Sequence, residues 1–140
     1  SAVVVAGKVA LKAGILAAIF GGSVAANNAY QSRVAEVKSE CAEYNRTHSH
    51  SDSYFVVDET QRQFIEVDSI KSIPTAKDVD YSVLNNKTAE IKADIIDNIV
   101  KMGDDYTNKF LIKHGWQQVV KFTAANGDVI TSVTVSEQDL

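Results

Sequence analysis

The side chains best suited to chemistry stand in "THSHSD", residues 47–52, where His48, His50 and Asp52 offer two imidazoles and a carboxylate. A metal site needs three or four converging ligands. The remaining histidine, His114, is far away in the chain, so this stretch reads as a solvated loop. Asp94, Asp97, Asp104 and Asp105 form a second acidic group. "DNIVKMGDD" does not match the fixed ligand spacing of a calcium loop and reads as a solvated helix face and end.

Cys41 is the single cysteine, which excludes an internal disulfide framework and any multi-cysteine zinc site. It occupies a helix position with only Lys38 as a neighbouring cation, so it reads as a partly buried thiol; in an oxidising compartment it could join two subunits. No G-x-S-x-G elbow is present. "GILAAIFGGS" lacks the Lys-Ser/Thr of a phosphate-binding loop. "NRT" at Asn45 and "NKT" at Asn86 are glycosylation acceptors only in a eukaryotic secretory path. Trp116 and Tyr106 read as residues of a core or its rim. The expectation is a protein with no catalytic residue, cofactor or metal, and not an enzyme.

Architecture carries more information than these side chains. The 140 residues fit one domain with an appended element, and 45% hydrophobic with 23% charged residues is the composition of a folded protein. Charge is split. Residues 1–35 carry Lys8, Lys12, Arg33 and no acid; residues 36–140 carry all 18 acids, 11 bases and a net −7. Without a Lys/Arg cluster, no nucleic-acid partner is expected.

The opening segment is apolar or small from residue 13 to 26 and uncharged from 13 to 32. Counted from residue 9 to 30, it approaches the roughly 20 residues a bilayer helix needs. Lys8 and Lys12, four apart on one face, and Tyr30 fall where membrane-interface residues would sit. Positive charge before the apolar run predicts a cytoplasmic N-terminus with the head outside. Gly14, Ala18 and Gly22 recur every four residues, the small-residue stripe of a helix that packs closely on other helices. The basic start and the small residues near 25–29 also fit a signal peptide. Because the segment is present in the chain, a retained anchor is expected instead, in a membrane or in the interior of an assembly, with a buried helix of the protein's own core as the rival.

The helix is expected to continue amphipathically over residues 31–45, with Val34, Val37, Cys41 and Tyr44 three or four apart. A helix from residue 3 to 45 would be about 65 Å long, too long for one small core. The division expected is therefore an N-terminal helix, 1–46, and a head, 47–140. The head begins with two β-rich runs around residues 58–61, a hairpin. "NNKTAEIKADIIDNIVKM" is an amphipathic helix with Asn86 as candidate N-cap and Ile91, Ile95, Ile99 and Met102 in one stripe. A short helix follows from 106 to 114, closed by Gly115. Asn126 and Gly127 between β-branched runs predict a second hairpin with a type I′ turn.

The fold class expected is thus α+β: a long N-terminal apolar helix, two antiparallel hairpins, and one or two amphipathic helices. This outline resembles pilin-like and other filament or envelope subunits, and equally small membrane subunits of phage particles. Ser1 and Val5 stand where bacterial type IV pilins usually carry an aromatic residue and a glutamate. The apolar first helix and the acidic head lead to the expectation of a non-enzymatic assembly subunit anchored by its first helix, with other protein subunits as partners, in a homo-oligomer. The alternative is a soluble α+β binding or regulatory module with its first helix buried in its own core or a dimer.

Overall fold

A computed structural model describes residues 30–104 and 106–140. The first described element is helix α1, Tyr30–Thr47, followed by strands β1, Ser53–Asp58, and β2, Gln63–Ile70. Helices α2, Tyr81–Lys101, and α3, Thr107–Lys113, lead to strands β3, Gln117–Ala124, and β4, Val129–Val135. The two hairpins do not stand apart. β2 pairs in parallel with β3, which joins them into one four-stranded mixed sheet in the order β1-β2-β3-β4. A parallel pair needs a long crossover connection, and α2 with α3 supplies it.

α1 forms because its apolar residues recur every three or four positions. Val34, Val37 and Cys41 are buried, and the Tyr44 ring meets Phe55 edge-on at 4.8 Å. α2 begins earlier than Asn86. Asp80 is its N-cap, accepting hydrogen bonds from the Ser82 amide at 3.0 Å and hydroxyl at 2.6 Å. The stripe Leu84, Ile91, Ile95 and Ile99 is buried. Each such side chain contributes about 1.5–3 kcal/mol by leaving water. Gly115 takes φ +91°, closing α3 in the left-handed conformation that favours glycine.

The β3–β4 turn differs from the type I′ expectation. Gly127 has φ +91° but Asn126 is not left-handed. The Gly127 amide donates to the Ala124 carbonyl, and the Ala124 amide to the Asp128 carbonyl. This is a type I turn followed by a left-handed glycine, the three-residue form. The pairing register then steps between Phe122 and Thr123, so Ile130 joins the buried side and Val129 is left exposed.

The three described α-helices share one hydrophobic cluster with Phe55, Phe64, Val120, Phe122, Val133 and Val135, so they lie on one face of the sheet. α1 packs chiefly on β1 and α2 on β4. Val34, Val37 and Cys41, in the amphipathic continuation expected over residues 31–45, share this cluster with residues of the head.

The expectation of a membrane protein with a single transmembrane helix is corrected here. Among the described residues no helix is long and apolar enough to cross a membrane. A long N-terminal apolar helix is likewise not supported: the first described helix starts at Tyr30, is amphipathic, and buries Arg33 along with its apolar side. Gly14, Ala18, Gly22, Lys8 and Lys12 lie outside the described residues.

Candidate functional site

Alternation along the strands sends every second side chain to the face away from the helices. On β1 these are Tyr54, Val56 and Asp58; on β2 Gln63, Ile65, Val67 and Ser69; on β3 Gln117, Val119, Lys121 and Thr123. Register sets them in rows. Asp58, Gln63 and Gln117 are level; Val56, Ile65 and Val119 come next; Tyr54, Val67 and Lys121 follow.

A sheet covered on one side usually shows polar residues on the other. This one does not. Ile65, Val67 and Val119 are themselves buried and form a second hydrophobic cluster, separate from the main core. Beside it Tyr54 is 50% exposed and Val56 42%. The face carries two charges, Lys121 and Asp58, and neither has an ion pair among the described residues. Asp58 Oδ1 accepts the Gln61 amide at 3.0 Å, leaving its second oxygen for other partners.

The outer edge of β1 is closed. Asn45 Nδ2 donates to the Phe55 carbonyl and Asn45 Oδ1 accepts the Phe55 amide, each at 2.8 Å. The Ser53 amide donates to Ser51 Oγ. The amide that "NRT" offers to glycosylation is therefore bound to an edge strand, where it takes the place of a neighbouring strand.

The remaining candidates stay apart or are engaged elsewhere. His48 stacks on Tyr44 at 4.0 Å, with Nδ1 3.1 Å from the Tyr44 carbonyl. His114 stacks on Phe110 at 4.0 Å. Among the described residues no three His, Cys, Asp or Glu side chains gather as metal ligands. Asp104 is held by Lys109 at 3.2 Å and Lys113 at 3.4 Å; the Lys109 hydrogen bond, more than Lys113, lowers its pKa. Asp97 pairs with Lys101 at 2.7 Å. Burial, and then the Glu40 charge, pushes the Cys41 thiol up to about 12, which keeps it protonated and poorly nucleophilic.

Tyr30 sits at the start of α1, where its hydroxyl accepts the indole N–H of buried Trp116. The Trp116 ring stacks on Phe64 at 6.2 Å. Glu40 also stands out. Burial, and then repulsion from Glu36, raises its pKa to about 7. One turn earlier, Glu36 accepts the Thr107 hydroxyl at 2.6 Å. Thr107 in turn accepts Arg33 Nη1 at 3.2 Å, and the Arg33 guanidinium lies 4.9 Å from the centre of the Phe110 ring. This network ties α1 to α3. A shallow recess is lined by Gly115, Trp116, Gln117, Ser136, Glu137 and Gln138.

Sequence reasoning missed Tyr54, Val56, Asp58 and Lys121. The signal was present in "YFVVD", "QFIEV" and "QVVKF", where apolar residues occupy both alternating sets. The described residues form an α+β fold with three helices on one face of a four-stranded mixed sheet and exposed Tyr54 and Val56 on the other. No family model, curated protein or solved structure matches the chain.

Proposed function

We propose that this chain is a non-enzymatic structural subunit of a multi-copy protein assembly, with its head making protein–protein contacts through exposed Tyr54 and Val56 of β1. The observation that carries this reading is the exposure of Tyr54 and Val56 beside the Ile65, Val67 and Val119 cluster. Water-exposed aliphatic and aromatic groups on a strand gain most when a partner covers them. The network of Arg33, Glu36 and Thr107 supports a structural role, because its groups are spent on holding α1 to α3.

The test is the mass of the full chain in solution by light scattering. The unmodified chain is expected above its 15.2 kDa monomer mass. Val56→Arg, which puts a charge on an exposed position of the face, is expected to return it to the monomer. A mass that Val56→Arg leaves unchanged would count against this face. A second reading, a binding module for a different protein, gains support if the unmodified chain is monomeric throughout.

A further inference from the structure

We infer that Asn126 is a site of self-modification: its carboxamide closes onto the Gly127 amide nitrogen, water opens the ring, and Asp128 holds the rate down in the folded chain. The site lies on the β3–β4 hairpin, apart from Tyr54 and Val56, and does not depend on the contacts proposed above.

Asn126 is the only asparagine followed by a glycine. Glycine lacks a Cβ, so nothing crowds its nitrogen when the preceding side chain approaches. At Gly127 even an added Cβ would meet no atom within 4 Å. Residues 125–129 are all exposed, so water has access to the carbonyl carbons of the turn. Ring closure forms a bond from Gly127 N to Asn126 Cγ and breaks the bond from Cγ to Nδ2. The Nδ2 group leaves as ammonia, taking the proton of the Gly127 amide. Water then opens the cyclic imide. Attack at Cγ leaves aspartate at 126. Attack at the main-chain carbonyl carbon of Asn126 leaves an isoaspartyl link, with the chain routed through Cγ. In total a water enters and an ammonia leaves, with no change of oxidation state.

The folded turn holds the reacting groups apart. The Gly127 amide donates to the Ala124 carbonyl at 2.9 Å, which keeps its proton engaged. Asn126 Oδ1 accepts the Asp128 amide at 3.0 Å, and Nδ2 donates to Asp128 Oδ2 at 2.9 Å. Asp128 thus grips the carboxamide at both ends, and Cγ swings onto Gly127 N only when those bonds are given up. The Ala125 amide donates to the Ile73 carbonyl at 2.7 Å and the Asn126 amide to the Pro74 carbonyl at 3.2 Å, which fastens the same turn to the loop after β2. Reaction therefore proceeds from the fraction of molecules in which this turn is open.

An isoaspartyl link lengthens the main chain of the turn by one carbon. That displaces the Ala124 amide from the Asp128 carbonyl, which it meets at 2.8 Å. Either product sets a new carboxylate beside Asp128. The modification is a one-way mark of elapsed time, written where the chain enters β4 and its buried Ile130.

The experiment is a time course of the full chain in mildly alkaline buffer, folded and in urea, with each asparagine-containing peptide followed by mass spectrometry. In urea, Asn126 is expected to change from amide to acid faster than every other asparagine, giving aspartate and isoaspartate together. In the folded chain the same change is expected at least about fivefold more slowly, as when opening the turn costs about one hydrogen bond. Asp128→Ala is expected to narrow that difference by at least about half, and Asp128→Asn, which keeps an acceptor for Nδ2, to preserve it. In urea the parent and both variants should react alike. An Asn126 no faster in urea than the other asparagines would overturn the site. Aspartate without isoaspartate would mean direct hydrolysis and overturn the ring closure. Equal rates folded and in urea would overturn the protection by the turn, and a folded Asp128→Ala chain no faster than the parent would overturn the role of Asp128. The comparison of folded chain with chain in urea needs no variant, so it decides the question even if Asp128→Ala loosens the hairpin.

Discussion

Tyr30 and Trp116 show how one hydroxyl can fix a helix. The Trp116 side chain is 1% exposed, and its indole N–H has the Tyr30 hydroxyl as acceptor. Tyr30→Phe keeps the ring and removes the acceptor, leaving a buried donor unpaired. The expected loss is about 1–2 kcal/mol in urea unfolding. Trp116→Phe removes donor and bulk together and costs more. Glu40 gives a pH dependence of known sign. Its folded pKa, near 7, lies above the ordinary carboxylate value, so between about pH 4.5 and 7 the folded chain holds a proton that the unfolded chain has released. Stability from this group is therefore present at low pH and lost as pH rises through that window. At pH 8 the cost is about 1–2 kcal/mol after allowance for its partial exposure. Glu40→Gln should remove it, so the variant is more stable than the parent at pH 8 and little different at pH 4, by chemical denaturation at both values.

Among the elements, β1 depends on a side chain of α1. Asn45→Ala strips two hydrogen bonds from Phe55 and reopens an edge whose neighbours include exposed Tyr54 and Val56. It should cost about 1–3 kcal/mol and raise aggregation under heating, read by unfolding and light scattering. Gly127 tests the other hairpin. At φ +91° an added Cβ meets open space, so the penalty of Gly127→Ala is backbone strain alone, about 1–2 kcal/mol. Much of this level was legible in the sequence. The spacing of Val34, Val37, Cys41 and Tyr44 marks α1, Gly115 marks the end of α3, and Asn126 with Gly127 marks the turn. The N-cap was misplaced because Asp80 precedes Tyr81, Ser82 and Val83, residues of modest helix propensity, whereas Asn86 precedes a clear amphipathic stripe. The type I′ assignment failed because one glycine suits both turn forms, and only the Asn126 backbone separates them.

At the scale of the whole molecule, what escaped the sequence is the pairing between hairpins. Gln63 meets Gln117 across the α2 and α3 connection, and no local signal announces a partner 54 residues away. The double-sided apolar character of β2 and β3 was the available clue, since strands at the centre of a sheet read as near-continuous runs. That topology sets an order of opening. β2 and β3 each have a strand on either side, so the amides of Ile65, Val119 and Val120 should exchange with solvent only through global unfolding. β1 and β4 are edges, and their outward amides should exchange through smaller openings. Phe55 is the telling exception. Its amide points away from β2, yet it is held by Asn45 Oδ1. Hydrogen exchange should show Phe55 protected well above Val57, its alternate neighbour on the same edge, and Asn45→Ala should erase that difference while leaving Val120 in step with global stability. Equal protection at Phe55 and Val57 in the parent chain would mean that α1 does not close the sheet.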